Sequence, residues 1–73
     1  MDRLNAEIGI ARRVTLAVSE AGSDVHSVAQ AADITTSQME DRLSGRVPFQ
    51  LDELVHIGGF LHVPAYRFME VAA

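Results

Sequence analysis

Apolar side chains return along this chain every three or four residues, and the breaks in that rhythm mark out its elements. From about Ile8 to Ala21, positions Ile10, Val14, Ala17, Val18 and Ala21 share one stripe and predict a first helix, with Arg12 and Arg13 off the stripe. Residues 1–7 show no apolar period beyond Leu4 and are expected as a frayed start or a short arm carrying Arg3. Ala21-Gly22-Ser23 ends the first helix, since Gly22 can take the left-handed conformation that terminates helices. Val25, Val28, Ala29 and Ala32 then form the buried side of a second helix, and Met39 and Leu43 that of a third. Asp24 and Thr35 stand at their N-caps, where a side-chain oxygen accepts from backbone N–H groups that lack a helical partner. Between the two helices Asp33-Ile34 must turn the chain within about three residues; Asp tolerates a left-handed backbone, and Ile34 plugs the corner.

A loop, Gly45-Arg46-Val47-Pro48, separates the third helix from a fourth at about Leu51 to Leu61, because Pro48 cannot continue a helix. Leu51, Leu54, Val55, Gly58 and Leu61 are expected on its buried side, and Asp52 and Glu53 in its first turn suit the helix dipole. Gly58-Gly59 costs roughly 1 kcal/mol per residue against Ala inside a helix, so close approach by another helix is expected at Gly58. Pro64 suits the first turn of a fifth helix, Ala65 to about Val71.

With 73 residues the chain has room for one domain, 1–73, and a core of that size supplies only roughly 3–5 kcal/mol. Oligomerisation would add to it. The absence of cysteine excludes disulfides and thiolate metal sites. No apolar run approaches the roughly 18–20 residues of a membrane span, and MDRLNAEIG is too polar for a signal peptide, so a cytoplasmic protein is expected. The net charge of −4 runs against nucleic-acid binding, yet all six basic residues are arginines, whose fork grips two phosphate oxygens.

Candidate chemistry lies on the third helix, where Ser37, Asp41 and Ser44, flanked by Gln38 and Glu40, face away from Met39 and Leu43. Ser and Gln exchange hydrogen bonds with base edges, and Asp or Glu accepts from a cytosine amino group; an ordinary solvated face has the same composition. Arg42 lies at the edge of the buried face, open to a phosphate contact or to a pair with a carboxylate. His26, His56 and His62 share no helical face at metal-ligand spacing. No spacing suggests a nucleophile and its base, and no glycine-rich phosphate loop is present, so neither enzyme activity nor a cofactor is expected. Phe60 falls roughly 180° from the Leu51–Gly58 stripe, and Tyr66, Phe68, Met69 and Val71 crowd the fifth helix. That excess apolar surface predicts a homodimer contact through Phe60, Tyr66, Phe68 and Met69; alternatively, Phe68 and Met69 cap the monomer's own core while Phe60 swings inward at Gly58-Gly59.

The stretch DVHSVAQAADITTSQMEDRLSG (24–45), with small Ala29, a turn at Asp33 and apolar Ile34 and Met39, resembles the helix-turn-helix of the phage repressor and Cro family, also called the xenobiotic-response-element family. The tail RLSGRVPFQLDELVHIGGFLHVPAYRFME (42–70) is similar to that family's later helices, so the resemblance covers about residues 8–70. It implies an all-α, five-helix, repressor-like DNA-binding domain that occupies an operator in double-stranded DNA and occludes a promoter. By position, Thr36, Ser37, Gln38, Glu40 and Asp41 become base readers, and Arg12, Arg13, Thr35, Arg42 and Arg46 phosphate contacts, with Arg46 as the clamp after the third helix. Asp41 departs from the pattern, in which a basic or amide residue is commoner. A homodimer would place its two reading helices about 34 Å apart and so require an inverted-repeat operator. The chain ends soon after the fifth helix, which resembles Cro more than a repressor with a separate C-terminal domain. The rival reading is a protein-interaction module, of antirepressor or antitoxin type, supported by the −4 charge and Glu40-Asp41.

Overall fold

The computed structural model describes residues 3–69, and the side chains of residues 9–69. Among these the chain is all-α: α1 (Arg3–Glu20), α2 (Val25–Ala31), α3 (Thr36–Leu43) and α4 (Leu51–Leu61), followed by a single 3-10 turn, Ala65–Met69. The expected five-helix bundle is therefore corrected to four α-helices and a 3-10 turn. Two features account for the difference. The N–H of Arg67 closes on the Pro64 carbonyl at 3.0 Å, three residues back, which is the tighter 3-10 bond. The tight turn already delivers Phe68 into the core, where only 1% of its surface stays exposed, so nothing further is gained by a costly α-helical nucleus. Val71, assigned to that helix from the sequence, lies outside the described residues. Residues 3–7, expected as a frayed start or arm, instead form the opening turns of α1.

One core holds the four helices together: Val14 and Val18 from α1, Val28 and Ala29 from α2, Met39 from α3, Leu54, Ile57 and Leu61 from α4, with Ala32 and Phe68. On α1 the stripe includes Ala11 and excludes Ala21, which lies exposed just past the helix end. On α4 the buried side is turned from the expected one. Leu51 and Val55 are 63% and 52% exposed, while Ile57 is fully buried and Glu53 nearly so. The pattern Leu54, Ile57, Gly58, Leu61 keeps the i, i+3, i+4, i+7 spacing of one face, and Leu51, Leu54, Val55, Gly58 keeps it equally, so spacing alone does not choose between them.

The chain leaves α4 through His62, whose left-handed backbone (φ 61°) lets the N–H of Val63 return to the carbonyl of Gly58 at 2.8 Å. A β-carbon at Gly58 would collide with the Val63 carbonyl oxygen and crowd the backbone of Ala65. The close approach expected there is thus made by the chain that follows α4 and not by another helix. Gly59 faces open space.

Candidate nucleic-acid interface

The second and third helices are each fixed by their own caps. The Ser27 N–H donates to Asp24 Oδ1 at 2.8 Å, and that bond holds the Asp24 carboxyl below the usual carboxylate range, with a smaller contribution from neighbouring His26. The turn follows from residues 32–35. Asp33 takes a left-handed backbone (φ 60°), and the Ile34 N–H closes on the Ala29 carbonyl at 3.0 Å, which brings Ile34 half-buried against the core. At the start of α3 the Gln38 N–H donates to Thr35 Oγ1 at 3.0 Å, and the Thr35 N–H donates to Gln38 Oε1 at 2.9 Å. This reciprocal capping box satisfies two N–H groups that α3 itself cannot.

The cap also decides what Gln38 can offer. Its carbonyl oxygen is engaged, so its exposed side chain retains the NH₂ donors, which suit purine N7 or the O6 and O4 acceptors of guanine and thymine. Ser37 and Glu40 stand exposed beside it. Thr36 is half-buried, with its hydroxyl 3.3 Å from His26 Nδ1 on α2. Asp41 lies one turn beyond Ser37, and its Oδ1 accepts from Arg46 Nη2 at 2.9 Å.

Among the expected phosphate contacts, Arg42 is corrected. Its Nε donates to Glu53 Oε1 at 2.9 Å and its Nη1 to the Gln38 carbonyl at 3.1 Å, with side-chain exposures of 12% for Arg42 and 7% for Glu53. Of the two possibilities left open by its position, the carboxylate pair is the one formed, and Arg42 ties α3 to α4. Glu53 Oε1 also accepts from the Gln50 N–H at 3.0 Å, closing the start of α4. The first-turn position expected to suit the helix dipole is occupied by Glu53 as a cap, and the Gln50-to-Glu53 spacing is the local signal for that role. Arg12 is exposed and lines a shallow cleft with Thr15, Leu43, Ser44 and Gly45, so α1 brings it beside the end of α3. Arg13 is half-buried and its Nη1 lies back along α1 over Gly9. Arg46 is exposed in the loop after α3.

Around α3, therefore, the acidic residues Asp33, Glu40 and Asp41 accompany Arg12 and Arg46, with Asp41 paired to Arg46, giving a mixed surface and not a basic groove among the described residues. Of the expected dimer contacts, Phe60, Tyr66 and Met69 are exposed, whereas Phe68 belongs to the core and is withdrawn from that set. No described helix is long and apolar enough to cross a membrane. The chain matches no protein-family model, no curated protein and no solved structure.

Proposed function

We propose that this chain is a sequence-specific DNA-binding regulator of transcription, similar to phage Cro and immunity repressors, working in the cytoplasm by occupying an operator. The observation that carries the reading is the presentation of α3. Its start is closed by the Thr35–Gln38 box, its inner side is seated through Met39, and its polar side with Ser37, Gln38 and Glu40 is left to solvent. A rigid helix of this kind, crossed by a second short helix at a tight turn, fits the major groove, where hydroxyl and amide groups read base edges. The Thr35 hydroxyl and Arg12 lie at the two ends of α3 and supply backbone contacts that set register, with Arg13 further along α1. A homodimer through Phe60, Tyr66 and Met69 would bind an inverted repeat.

Selection of bound sequences from random duplexes, followed by gel shift at two salt concentrations, tests the proposal. Enrichment of one motif with salt-sensitive binding is the expected result; recovery of random sequence would sink it. A second reading, a protein-interaction module of antirepressor or antitoxin type, is favoured by the two ion pairs that engage Arg42 and Arg46 within the chain. It predicts the second outcome, together with saturable capture of a partner regulator.

A further inference from the structure

The geometry of the loop after α3 does not fit a free phosphate clamp at Arg46. The N–H groups of Arg46 and Val47 both donate to the Asp41 carbonyl, at 3.0 and 3.2 Å, and Ser44 Oγ donates to the same oxygen at 2.9 Å. Three donors on one carbonyl fold the loop back along the helix it has just left. The Arg46 side chain follows and places Nη2 on Asp41 Oδ1 at 2.9 Å. Asp41 lies between Ser37 and Ser44 on the side of α3 opposite Met39 and Leu43, so the guanidinium is carried back to the middle of the outward strip.

We infer that Asp41 and Arg46 act as one unit in which the carboxylate aims the guanidinium at a guanine in the major groove. The inference rests on the DNA-binding reading above. A guanidinium has five N–H donors in a fixed plane, and the contact to Oδ1 uses one, leaving a fork that matches guanine O6 and N7. Arg46 is the base-contacting group and Asp41 a positioning residue. Holding a long side chain in its bound geometry before association removes part of the ordering cost of binding. The pair is also close to neutral, so it adds little attraction for phosphate at unrelated sequences, in keeping with an acidic chain that must still discriminate.

The test is site selection and gel shift on the full chain with wild type, Arg46→Ala, Asp41→Asn and the double variant. Exposed ion pairs contribute little to folding, so all four should keep the same helical circular dichroism. Wild type should select a guanine at one position of each half-site and prefer it by roughly 10- to 100-fold, the range of one bidentate contact. Arg46→Ala should abolish that preference while leaving the other positions of the motif intact. Asp41→Asn should weaken the same preference several-fold and raise affinity for unrelated duplexes. The double variant should be no less specific at that position than Arg46→Ala alone. Two outcomes would overturn the inference and leave the DNA-binding reading standing: Arg46→Ala lowering affinity equally on all duplexes with the guanine position unchanged, or Asp41→Asn leaving the base profile as it was. A wild type that selects no sequence overturns both.

Discussion

The Ser27 N–H stabilises the charged form of Asp24 at the start of α2, and a pH dependence follows. A carboxyl held below its unfolded value adds stability that is fully present above about pH 4 and is lost as pH falls through the lower, folded value. Asp24→Asn keeps a capping oxygen without the charge. Its melting temperature should therefore fall less than that of wild type between about pH 5 and pH 2. Thermal melts followed by circular dichroism check this; parallel curves would show that the Asp24 charge is immaterial. Residues of this kind were legible in the sequence because a cap involves neighbours three positions apart. Asp24, Thr35, Gly22 and Asp33 all take the conformations that their types suggest. Arg42 was not legible in the same way. Its partner lies on the next helix, and only the packing of α3 on α4 decides between a phosphate and Glu53.

At the scale of elements, α4 shows how a correct helix can be given the wrong inner side. Its limits, Leu51–Leu61, follow from Pro48 and the apolar run, but six apolar residues plus two glycines allow more than one stripe. Burial of Glu53 selects among them, since its carboxylate must meet Arg42 and the Gln50 N–H, and that orientation sends Leu51 and Val55 outward. Glu53→Ala should cost about 3 kcal/mol, because it leaves the largely buried Arg42 charge with no carboxylate and only the Gln38 carbonyl to accept from it. In a domain of roughly 3–5 kcal/mol this removes most of the stability, and urea titration would show a large unfolded fraction in buffer. Arg42→Met with Glu53→Leu should recover much of the loss; no recovery would mean that the site needs its charges. The adjacent glycines separate in the same assay. Gly58→Ala should destabilise by about 1–3 kcal/mol, as the new methyl meets the Val63 carbonyl. Gly59→Ala, in open space within a helix, should stabilise by about 0.5–1 kcal/mol.

For the molecule as a whole, the apolar side chains left in solvent matter most. Phe60 is 46% exposed, on a different side of α4 from Leu51 and Val55. Since Phe60 lies outside the core, Phe60→Ser should keep the wild-type circular dichroism and melting cooperativity. If two copies pair through it, sedimentation at micromolar concentration with operator should show wild type as a dimer and the variant as a monomer; a wild type that stays monomeric on a single half-site excludes this contact. The all-α architecture and the two short helices with their turn were legible from periodicity and caps. The last element was not, because five residues of mixed character carry too little pattern to distinguish a 3-10 turn from the start of a longer helix. That same turn sets the order in which the protein is built. Phe68 is nearly the last described residue, yet its turn packs against α1 and α4 and its ring is buried in the core. While the chain emerges from the ribosome, the segments that form α1 and α4 are released first and remain without the turn that packs against both. At about 5–20 residues per second the interval is short, but it leaves a nascent chain with an open core, exposed to chaperones and proteases until Phe68 arrives.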